Sequence, residues 1–300
     1  MKLINCQFEH TSRKIQYKLF VLGDTHVGAP NCAEGALRKL VADIKKDPNA
    51  YWLGGGDYCD AVILNDSKRF DVNAIPDWML AGNSKTIKDR IGDMLYAQRE
   101  RFCDIVDPIK DRCLGLIEGN HEYSIFKYHN RDHMAQICRT LGTETLTDCA
   151  FVRMQFIRKS VKGGRHTSTC TVFICHGHGG GRRPGSEPNR LFYLAADKDC
   201  NIVLSGHSHA FHILPPITML GVPNKGILPT ECIPREKYVG NWGSYLYTYK
   251  AGPANYASRV NYPVRPMYTF EIRLSPHISQ RRGKACHEKF GIEMVPYKLG

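Results

Sequence analysis

Several apolar, strand-like runs in this chain end in aspartate, asparagine or histidine, and this recurrence constrains the fold most strongly. In IVLSGHSHAF (202–211) an apolar run stops at Gly206 and is followed by His207 and His209. Residues two apart in an extended segment point to the same side, so both imidazoles would face one point. The polar residues that follow the five runs are Asp24 and His26, Asp57 and Asp60, Asn120 and His121, His176, and His207 and His209.

The apolar runs alternate with helical patterns, which is typical of an α/β chain. YKLFVLGDTH (17–26) predicts a strand, and the segment 34–46 then places leucine, valine and isoleucine at helical spacing. In open α/β sheets, sites form beyond the carboxyl ends of the strands, so the five sets of polar residues could converge. We therefore predict an α/β fold, layered in the α+β manner, with one site at the strand ends.

The remaining segments predict one layered domain at 1–275, followed by a basic tail or small appended element at 276–300. In residues 65–86 the hydrophobic periodicity is weak. We expect this segment to be an insertion between the regular elements, and its sequence does not indicate a function. The other predicted elements are a helix at 87–109, a strand within 113–122, β-rich runs at 149–160 and 167–180, a helix beginning at Asn189, and further β-structure at 243–250 and 265–274.

Composition excludes several classes of protein. No apolar stretch approaches the roughly 18 to 20 residues needed to cross a bilayer, and the start MKLINCQFEH lacks the apolar centre of a signal peptide, so we expect no membrane partner and a cytoplasmic location. The 12 cysteines are scattered without a C-x-x-C pair, which predicts reduced packing residues. Cys175 is among them, because a strand residue beside a ligand such as His176 points away from it.

The charge balance predicts an anionic partner. A net charge of +12 favours a polyanion or a phosphorylated substrate, although it is uninformative about the fold. Basic clusters lie at 158–166, 181–190 and 280–289. Each cluster alone is typical of a solvated loop, so the nucleic-acid interpretation depends on their coincidence with a site that handles phosphate.

The polar residues at the strand ends suit a metal centre. Carboxylate, amide and imidazole ligands without thiolates are typical of Mn²⁺, Fe or Zn²⁺, and one carboxylate can bridge two ions. Two metals about 3.5 to 4 Å apart can support an in-line displacement at phosphorus, with a shared water as the nucleophile. This chemistry predicts a phosphoesterase.

In their order, the five blocks resemble the signature of the calcineurin-like metallophosphoesterases over roughly residues 17–210. The resemblance implies a four-layer α/β/β/α sandwich of two mixed β-sheets flanked by helices. It also implies two divalent ions, with Mn²⁺ expected and Fe, Zn²⁺, Ni²⁺ or Mg²⁺ as alternatives. The matching blocks are D-x-H at Asp24 and His26, G-D-x-x-D from Gly56 to Asp60, G-N-H-E from Gly119 to Glu122, H-G-H from His176 to His178, and G-H-x-H from Gly206 to His209.

Carried over by position, the resemblance implies a role for each of these residues. His121 would be the acid that stabilises or protonates the leaving oxygen. Glu122 or Asp60 would orient the ring of His121, and His178 is expected to have a hydrogen-bonding or substrate-side role. One metal would be held by Asp24, His26 and His209, the other by Asn120, His176 and His207, with Asp57 as the bridge.

Differences between subfamilies bear on the substrate. The protein Ser/Thr phosphatases carry an arginine after the bridging aspartate, whereas this chain reads GGDYCDA, which disfavours phosphomonoesters. GDTHVGAPN is similar to the D-x-H-L-G start of SbcD-type nuclease subunits, and the chain is also similar to phosphoesterases encoded by bacteriophages, which would place it in the host cytoplasm. Possible substrate-binding residues in the 181–190 cluster are Arg182, Arg183 and Arg190.

The favoured function is therefore metal-dependent hydrolysis of nucleic-acid phosphodiesters, with DNA as the favoured substrate and partner. A phosphatase or a small cyclic-nucleotide diesterase is the alternative enzyme. The conformation of the loop 179–190 would discriminate between these enzymes. A loop that encloses the active-site crevice favours small substrates, and an open loop with its arginines along a groove favours a polynucleotide. A metal-stabilised binding protein without catalysis is the alternative from another class, and His121 argues against it.

Overall fold

A computed structural model describes residues 1–62, 75–80, 87–159, 163–179, 183, 185–221, 233–250, 256–259, 261–282 and 285–300. Most of the insertion predicted at 65–86 lies outside these residues. The strands are β1 (Lys2–His10), β2 (Tyr17–Leu22), β3 (Ala50–Gly54), β4 (Cys113–Leu116), β5 (Cys149–Lys159), β6 (Arg165–Cys175), β7 (Ile202–Ser205), β8 (His212–Ile213), β9 (Ile217–Gly221), β10 (Ile233–Asn241), β11 (Tyr268–Arg282) and β12 (Ala285–Lys298).

Helices flank these strands on both sides. Those in the described residues are α1 (Glu34–Lys46), α2 (Asp77–Leu80), α3 (Ile87–Val106), α4 (Asn120–His129), α5 (His133–Leu141), α6 (Ser186–Ala196) and α7 (Tyr256–Arg259), with a 3₁₀ helix at Asp107–Arg112. None of them combines the length and the apolar character that crossing a membrane requires.

The strands form two mixed sheets. Among the described residues, the larger sheet has the order β1-β5-β6-β7-β10-β8 with β9 paired to β10, and the smaller has the order β12-β11-β2-β3-β4. In the smaller sheet β2, β3 and β4 run parallel, and in the larger sheet β6, β7 and β10 run parallel. Their carboxyl ends therefore point to common edges, where connecting loops can meet.

Strand β2 explains why two apolar layers form. It is almost entirely buried, and alternate residues serve different cores because successive side chains point to opposite faces. Leu19 and Val21 belong to the core between the two sheets, whereas Phe20 and Leu22 belong to the core beneath α1, α3 and α5. A strand that packs on both faces reads as a continuous apolar run, as the sequence YKLFVL does.

The outer face of the larger sheet is covered by α6. Leu191 and Ala195 of this helix pack against Val203 of β7 and Val239 of β10. The layers therefore follow the order helix, sheet, sheet, helix, and the predicted α/β sandwich of two mixed sheets is confirmed.

Several predicted elements differ in the structure. The helix predicted at 87–109 ends at Val106 and is followed by the 3₁₀ helix at Asp107–Arg112. The helix predicted from Asn189 begins three residues earlier, at Ser186. The β-structure predicted at 243–250 is a loop, because its backbone pairs with the loop after β2 instead of with a sheet. Tyr245 N–H donates to the carbonyl of Asp24 at 3.1 Å, and Tyr247 N–H donates to that of Asn31 at 3.0 Å.

The segment predicted as a basic tail or small appended element (276–300) has a regular structure. It comprises the end of β11 and all of β12, which pair antiparallel from Tyr268 opposite Lys298 onward. β11 also pairs with β2, so this hairpin continues the smaller sheet. Phe290, Ile292 and Met294 alternate along β12 and pack against the core between the two sheets, which is the pattern of a strand with one buried face.

Candidate metal centre

The loops after β2 and β3 lie side by side and bring the first ligands together. Leu22 lies opposite Gly54 in the parallel register, so both strands end at the same level. Beyond them, the N–H of Asp24 donates to the carbonyl of Gly56 at 2.8 Å, and the N–H of His26 donates to that of Asp57 at 3.0 Å. Asp24 and Asp57 are therefore neighbours by virtue of the strand register.

Five predicted ligands have a backbone conformation that side chains rarely adopt. Their φ angles are positive: Asp24 (50°), His26 (45°), Asp57 (52°), His207 (70°) and His209 (56°). Such strain costs of order 1 kcal/mol or more per residue and persists only where the surroundings enforce it. Its concentration at these residues marks the strand ends as a functional site.

The two oxygens of Asp24 have different surroundings. Oδ2 accepts hydrogen bonds from Trp242 Nε1 at 2.6 Å and from the N–H of His207 at 3.0 Å. Oδ1 is buried without a hydrogen bond in the described part of the chain and lies 3.2 Å from His209 Nε2 and 3.8 Å from His26 Nε2. One oxygen thus anchors the carboxylate while the other faces two imidazoles.

The two carboxylate oxygens of Asp57 also have different surroundings, as those of Asp24 do. Its Oδ1 accepts from the N–H of His121 at 2.9 Å, at the N-terminus of α4, where the helix dipole favours an anion. Its Oδ2 lies 3.2 Å from His176 Nε2 and 3.9 Å from His26 Nε2. This single oxygen therefore lies between histidines that come from different sheets, which is the position a bridging ligand requires.

A second group of ligands surrounds Asn120. Its Oδ1 lies 3.0 Å from His176 Nε2 and 2.7 Å from His207 Nδ1, and these two ring nitrogens are 3.4 Å apart. The other ring nitrogen of His176, Nδ1, lies 2.7 Å from the carbonyl of Gly55. If Nδ1 donates there, the lone pair of Nε2 is directed into the centre, as in metal-bound histidines.

These donor atoms fit two divalent ions. The groups Asp24/His26/His209 and Asp57/His176/His207 each bring three ligand atoms within 4.8 Å of one another, and His26 and Asp57 form a third such group with His121. The orphaned Oδ1 of Asp24 needs a positive partner, and the donors are oxygen and imidazole nitrogen without thiolate, which suits Mn²⁺, Fe or Zn²⁺. The structure thus brings together the seven predicted ligands.

The protonation of these groups follows from burial and charge. Burial alone would raise the pKa of both Asp24 and Asp57, but the surrounding histidines hold each carboxyl well below its usual range. Burial disfavours the charged form of His176, yet the Asp57 carboxylate raises the pKa of this imidazole to about 10. Burial lowers the pKa of His26 and of His207. The carboxylates are therefore ionised and ready to bind cations.

His121 lies beside the ligands, and a backbone carbonyl fixes the orientation of its ring. Its Nδ1 is hydrogen-bonded to the backbone carbonyl of Asp60, and its Nε2 lies 3.8 Å from Asp57 Oδ2. The side chain is 11% exposed, so Nε2 faces the centre from a partly open position. Asp60 therefore orients this ring through its main chain, and the Asp60 carboxylate lies 3.8 Å from His26 Nδ1 instead.

Glu122 organises the backbone of the bridging loop. This fully buried carboxylate accepts from the N–H groups of Asp57 (2.9 Å) and Gly119 (3.2 Å) through Oε2, and from those of Tyr58 (2.9 Å) and Cys59 (3.3 Å) through Oε1. Burial and the neighbouring Asp57 charge raise the pKa of Glu122 to about 7. The geometry joins Glu122 to the Asp57 loop, whereas the His121 ring is held by Asp60.

The possible substrate-binding residues differ in their surroundings. Arg190 is half-buried and donates to Glu187 Oε1, Ser205 Oγ (3.1 Å) and Asn241 Oδ1 (3.0 Å), so the structure uses it to brace the end of β7. Arg183 and His178 are exposed. Arg182 lies outside the described residues, as do positions 180, 181 and 184 of the loop expected to discriminate between substrates.

Asn241 and Trp242 are site residues that the sequence predictions missed. Asn241 Nδ2 donates to Ser208 Oγ at 3.0 Å and to the carbonyl of Ala210 at 2.6 Å, holding the loop that carries His207 and His209. The Trp242 indole fills the space above Gly206, where an added Cβ would lie 2.0 Å from its Cε2. The signal was present, because the sequence GNWGS follows the strand pattern of β10 just as the other polar residues follow theirs.

The chain is similar to one family of known proteins and to several solved structures. A model of the family described as calcineurin-like phosphoesterase matches residues 17–211. No curated protein matches this chain significantly. Similar solved structures include a predicted phosphoesterase of Streptococcus pneumoniae, at 10% identity over 95% of this chain and 98% of that one with a TM-score of 0.34. Vps29 of Chaetomium thermophilum is similar at 12% identity over 95% and 98%, with a TM-score of 0.37.

A third similar structure is the NAD nucleotidase of Haemophilus influenzae, at 11% identity with a TM-score of 0.38. The match covers 97% of this chain and 51% of the nucleotidase. The family match covers more than half of this chain and contains the five strand-end blocks. This protein therefore belongs to the calcineurin-like phosphoesterases.

Proposed function

We propose that this protein hydrolyses phosphodiester bonds of nucleic acid, DNA being the favoured substrate, with two divalent cations and His121 as the acid. The observation that carries the proposal is the position of Asp57 Oδ2, between His26 on one side and His176 on the other. A carboxylate oxygen shared by two ligand groups is the geometry that a pair of ions requires.

Each ligand group would hold one ion. Asp24, His26 and His209 form the first site, Asn120, His176 and His207 form the second, and Asp57 belongs to both. When bound, the ions would supply Lewis-acid activation of the phosphoester and of a water, and Mn²⁺ is the expected metal. The chain itself holds the ligands in strained loops, which keeps the two sites preorganised.

His121 is placed to act on the leaving oxygen. Its Nδ1 is bonded to the carbonyl of Asp60, so a proton on this ring can be presented from Nε2. Nε2 lies 3.8 Å from the shared Asp57 oxygen, within reach of a phosphate bound there. Donation of that proton would neutralise the oxygen as the ester bond breaks.

Two observations favour a diester. The residues after Asp57 are Tyr58, Cys59 and Asp60, without the arginine that grips a terminal phosphate. The guanidinium of Arg190 donates hydrogen bonds to Glu187, Ser205 and Asn241, so its donors are already used within the protein and are not directed at a terminal phosphate. The net charge of +12 supports a polyanionic substrate such as DNA.

The test is hydrolysis by metal-stripped protein after addition of Mn²⁺. The substrates are bis(p-nitrophenyl) phosphate, the corresponding monoester, and labelled single- and double-stranded DNA. We expect diester and DNA cleavage, and we expect His121→Asn to lower kcat by about 100-fold or more with metal content retained. His129→Asn is the control, since His129 is an exposed histidine at the other end of the same helix.

Other outcomes would contradict the proposal. Strong monoester turnover with intact DNA would indicate a phosphatase. Stoichiometric metal binding without hydrolysis of any of these substrates would indicate a metal-stabilised binding protein.

A further inference from the structure

A cleft beside the metal centre has walls that suit a nucleotide. It has a volume of about 440 Å³ and lies between the loop at 247–249, the segment 264–268 and the end of β12. We call it the tyrosine cleft, and the lining residues that matter here are Tyr247, Tyr249, Arg265, Tyr268 and Lys298. The centre described above uses none of these residues.

The tyrosine cleft opens at the same edge of the molecule as the metal ligands. Tyr268 begins β11 opposite Lys298 at the end of β12, next to the carboxyl end of β2. Its ring lies 5.3 Å from that of Phe211, which is two residues beyond His209. One wall of the cleft therefore contacts the loop that carries a metal ligand.

A second wall is attached to the loop that contains Asp24 and His26. Tyr247 exchanges hydrogen bonds with Asn31, whose Nδ2 donates to the Tyr247 carbonyl at 2.6 Å. Lys250 Nζ donates to the carbonyl of Pro30 at 3.2 Å. The walls of the cleft thus contact the two segments that directly follow His26 and His209 in the chain.

The exposed rings and cations of the cleft define the chemistry of its ligand. Tyr247 is 41% exposed and Tyr249 is 50% exposed, although the hydroxyl of Tyr249 is fixed by donation to the carbonyl of Tyr262 at 2.8 Å. Lys250 Nζ lies over one face of the Tyr247 ring, 5.8 Å from its centroid, so a base would stack on the opposite face; exposed aromatic rings are stacking surfaces for nucleobases. Arg265 and Lys298 add positive charge that a flanking phosphate would neutralise.

We propose that the tyrosine cleft binds a nucleotide of single-stranded nucleic acid adjacent to the phosphate that is cleaved. The base stacks on Tyr247 and Tyr249, and the phosphate contacts Arg265 and Lys298. This inference rests on the proposed function, because it assigns the cleft to the same substrate. It predicts a preference for single strands, since bases inside a duplex are covered on both faces by the neighbouring base pairs.

The test measures binding without catalysis. A fluorescein-labelled oligothymidylate is titrated with metal-free protein in EDTA, and Kd is read from anisotropy. We expect Tyr249→Ala to raise Kd about tenfold and Tyr249→Phe, which keeps the ring, to stay within about twofold of the wild type. Lys298→Ala should lower the slope of log Kd against log salt concentration by about one.

The controls match the variants in chemistry but lie away from the cleft. Tyr193→Ala removes a tyrosine that is 75% exposed on α6, and Lys46→Ala removes an exposed lysine at the end of α1. Both should bind as the wild type does. Unaltered binding by Tyr249→Ala, or an equal loss for duplex and single strands, would overturn the proposal.

Failure of the cleft and failure of the proposed function are distinguishable. Cleavage of DNA by the wild type, with the same Kd for Tyr249→Ala, would reject the cleft alone. Tyrosine-dependent binding without Mn²⁺-dependent cleavage would reject hydrolysis alone. If the cleft binds the substrate and the protein hydrolyses it, Tyr249→Ala should lower kcat/KM for the oligonucleotide more than kcat/KM for bis(p-nitrophenyl) phosphate. The loss should appear mainly as a higher KM for the oligonucleotide.

Discussion

The indole Nε1 of Trp242 donates a 2.6 Å hydrogen bond to Oδ2 of Asp24, across 218 positions of sequence. This bond fixes one oxygen of the carboxylate, so that Oδ1 faces His209 at 3.2 Å. The same indole lies against Gly206, at the start of the loop that carries His207 and His209. One tryptophan beyond β10 thus positions ligands from both sheets.

Replacement of Trp242 by phenylalanine should therefore weaken metal binding. Phenylalanine keeps an aromatic ring but lacks Nε1, Cε2 and Cζ2, the indole atoms nearest Gly206, so Asp24 Oδ2 would lose its donor and the carboxylate would turn more freely. We expect Trp242→Phe to lower the affinity for Mn²⁺ by about 10- to 100-fold, as measured by isothermal titration calorimetry.

Trp52→Phe is the matched control, because Trp52 is a buried tryptophan whose Nε1 donates to the carbonyl of Ile109 at 2.9 Å, in the core beneath α1. It should cost about 2 to 4 kcal/mol of stability, because the smaller ring leaves a cavity and the Ile109 carbonyl loses its donor, and it should leave Mn²⁺ affinity unchanged. Equal metal affinities for the two variants would contradict a positioning role for Trp242.

Removal of His209 should empty one metal site selectively. His209 Nε2 lies 3.2 Å from Asp24 Oδ1 and 3.1 Å from His26 Nε2, so it belongs to the first ligand group. We expect His209→Ala to reduce the bound Mn²⁺ from about two to about one per chain and to lower diester hydrolysis by at least about 100-fold. Unchanged metal content and unchanged hydrolysis would show that this ligand assignment is wrong.

Arg190 should act on stability and not on substrate affinity. Its guanidinium is half-buried and pairs with Glu187, which is 7% exposed, so truncation leaves a carboxylate without its cation. We expect Arg190→Met to lower the free energy of unfolding by about 3 kcal/mol in urea denaturation. Arg273→Met is the control, since Arg273 pairs with Glu271 and Glu293 at the surface and should cost less than about 1 kcal/mol.

A selective rise in KM with unchanged stability in Arg190→Met would instead indicate that Arg190 contacts the substrate. Loss of stability with an unchanged KM would support the bracing role that the hydrogen bonds indicate.

His133 should make stability depend on pH. Burial, helped by the charge of Arg99, lowers the pKa of His133 to about 4, whereas the unfolded chain has the ordinary value of about 6.5. The unfolded state therefore takes up the proton first, and stability that is full above about pH 6.5 falls as the pH drops toward 4. The loss from this residue is on the order of 3 kcal/mol.

Urea denaturation of wild type and His133→Leu at several pH values measures this effect. The difference in free energy of unfolding between the two proteins should shrink or change sign as the pH falls from 7 to 4. A constant difference would mean that His133 does not titrate in this range. His129→Leu, at an exposed position, should follow the wild type.

The local sequence predicted most of the ligand set. Continuous apolar runs identify β2, β3 and β7 as strands, and polar residues directly after a strand must lie near its end, so Asp24, Asp57 and His207 could be named as candidate ligands without a structure. The helix at 34–46 was also predicted with its observed bounds. These features depend on neighbours within a few residues, which the sequence displays directly.

Other features depended on distant partners. Segment 243–250 has the composition of a strand, but it pairs with the loop at 24–33, and β12 joins the smaller sheet through its pairing with β11. Arg190 is a possible substrate-binding residue by sequence, whereas its hydrogen bonds to Ser205 and Asn241 depend on segments 15 and 51 positions away. The family match ends at residue 211, before Asn241 and Trp242.

The sequence by itself determined which residue types stand at the strand ends, and hence that the chain could hold metals. Only the tertiary structure decided which oxygen of Asp24 and of Asp57 faces the centre and which is anchored. It also decided that Trp242 and Asn241 hold the ligand loops. The physical reason is that hydrogen-bond direction and close packing between segments far apart in sequence are set by how the two sheets meet, and no local pattern encodes that geometry.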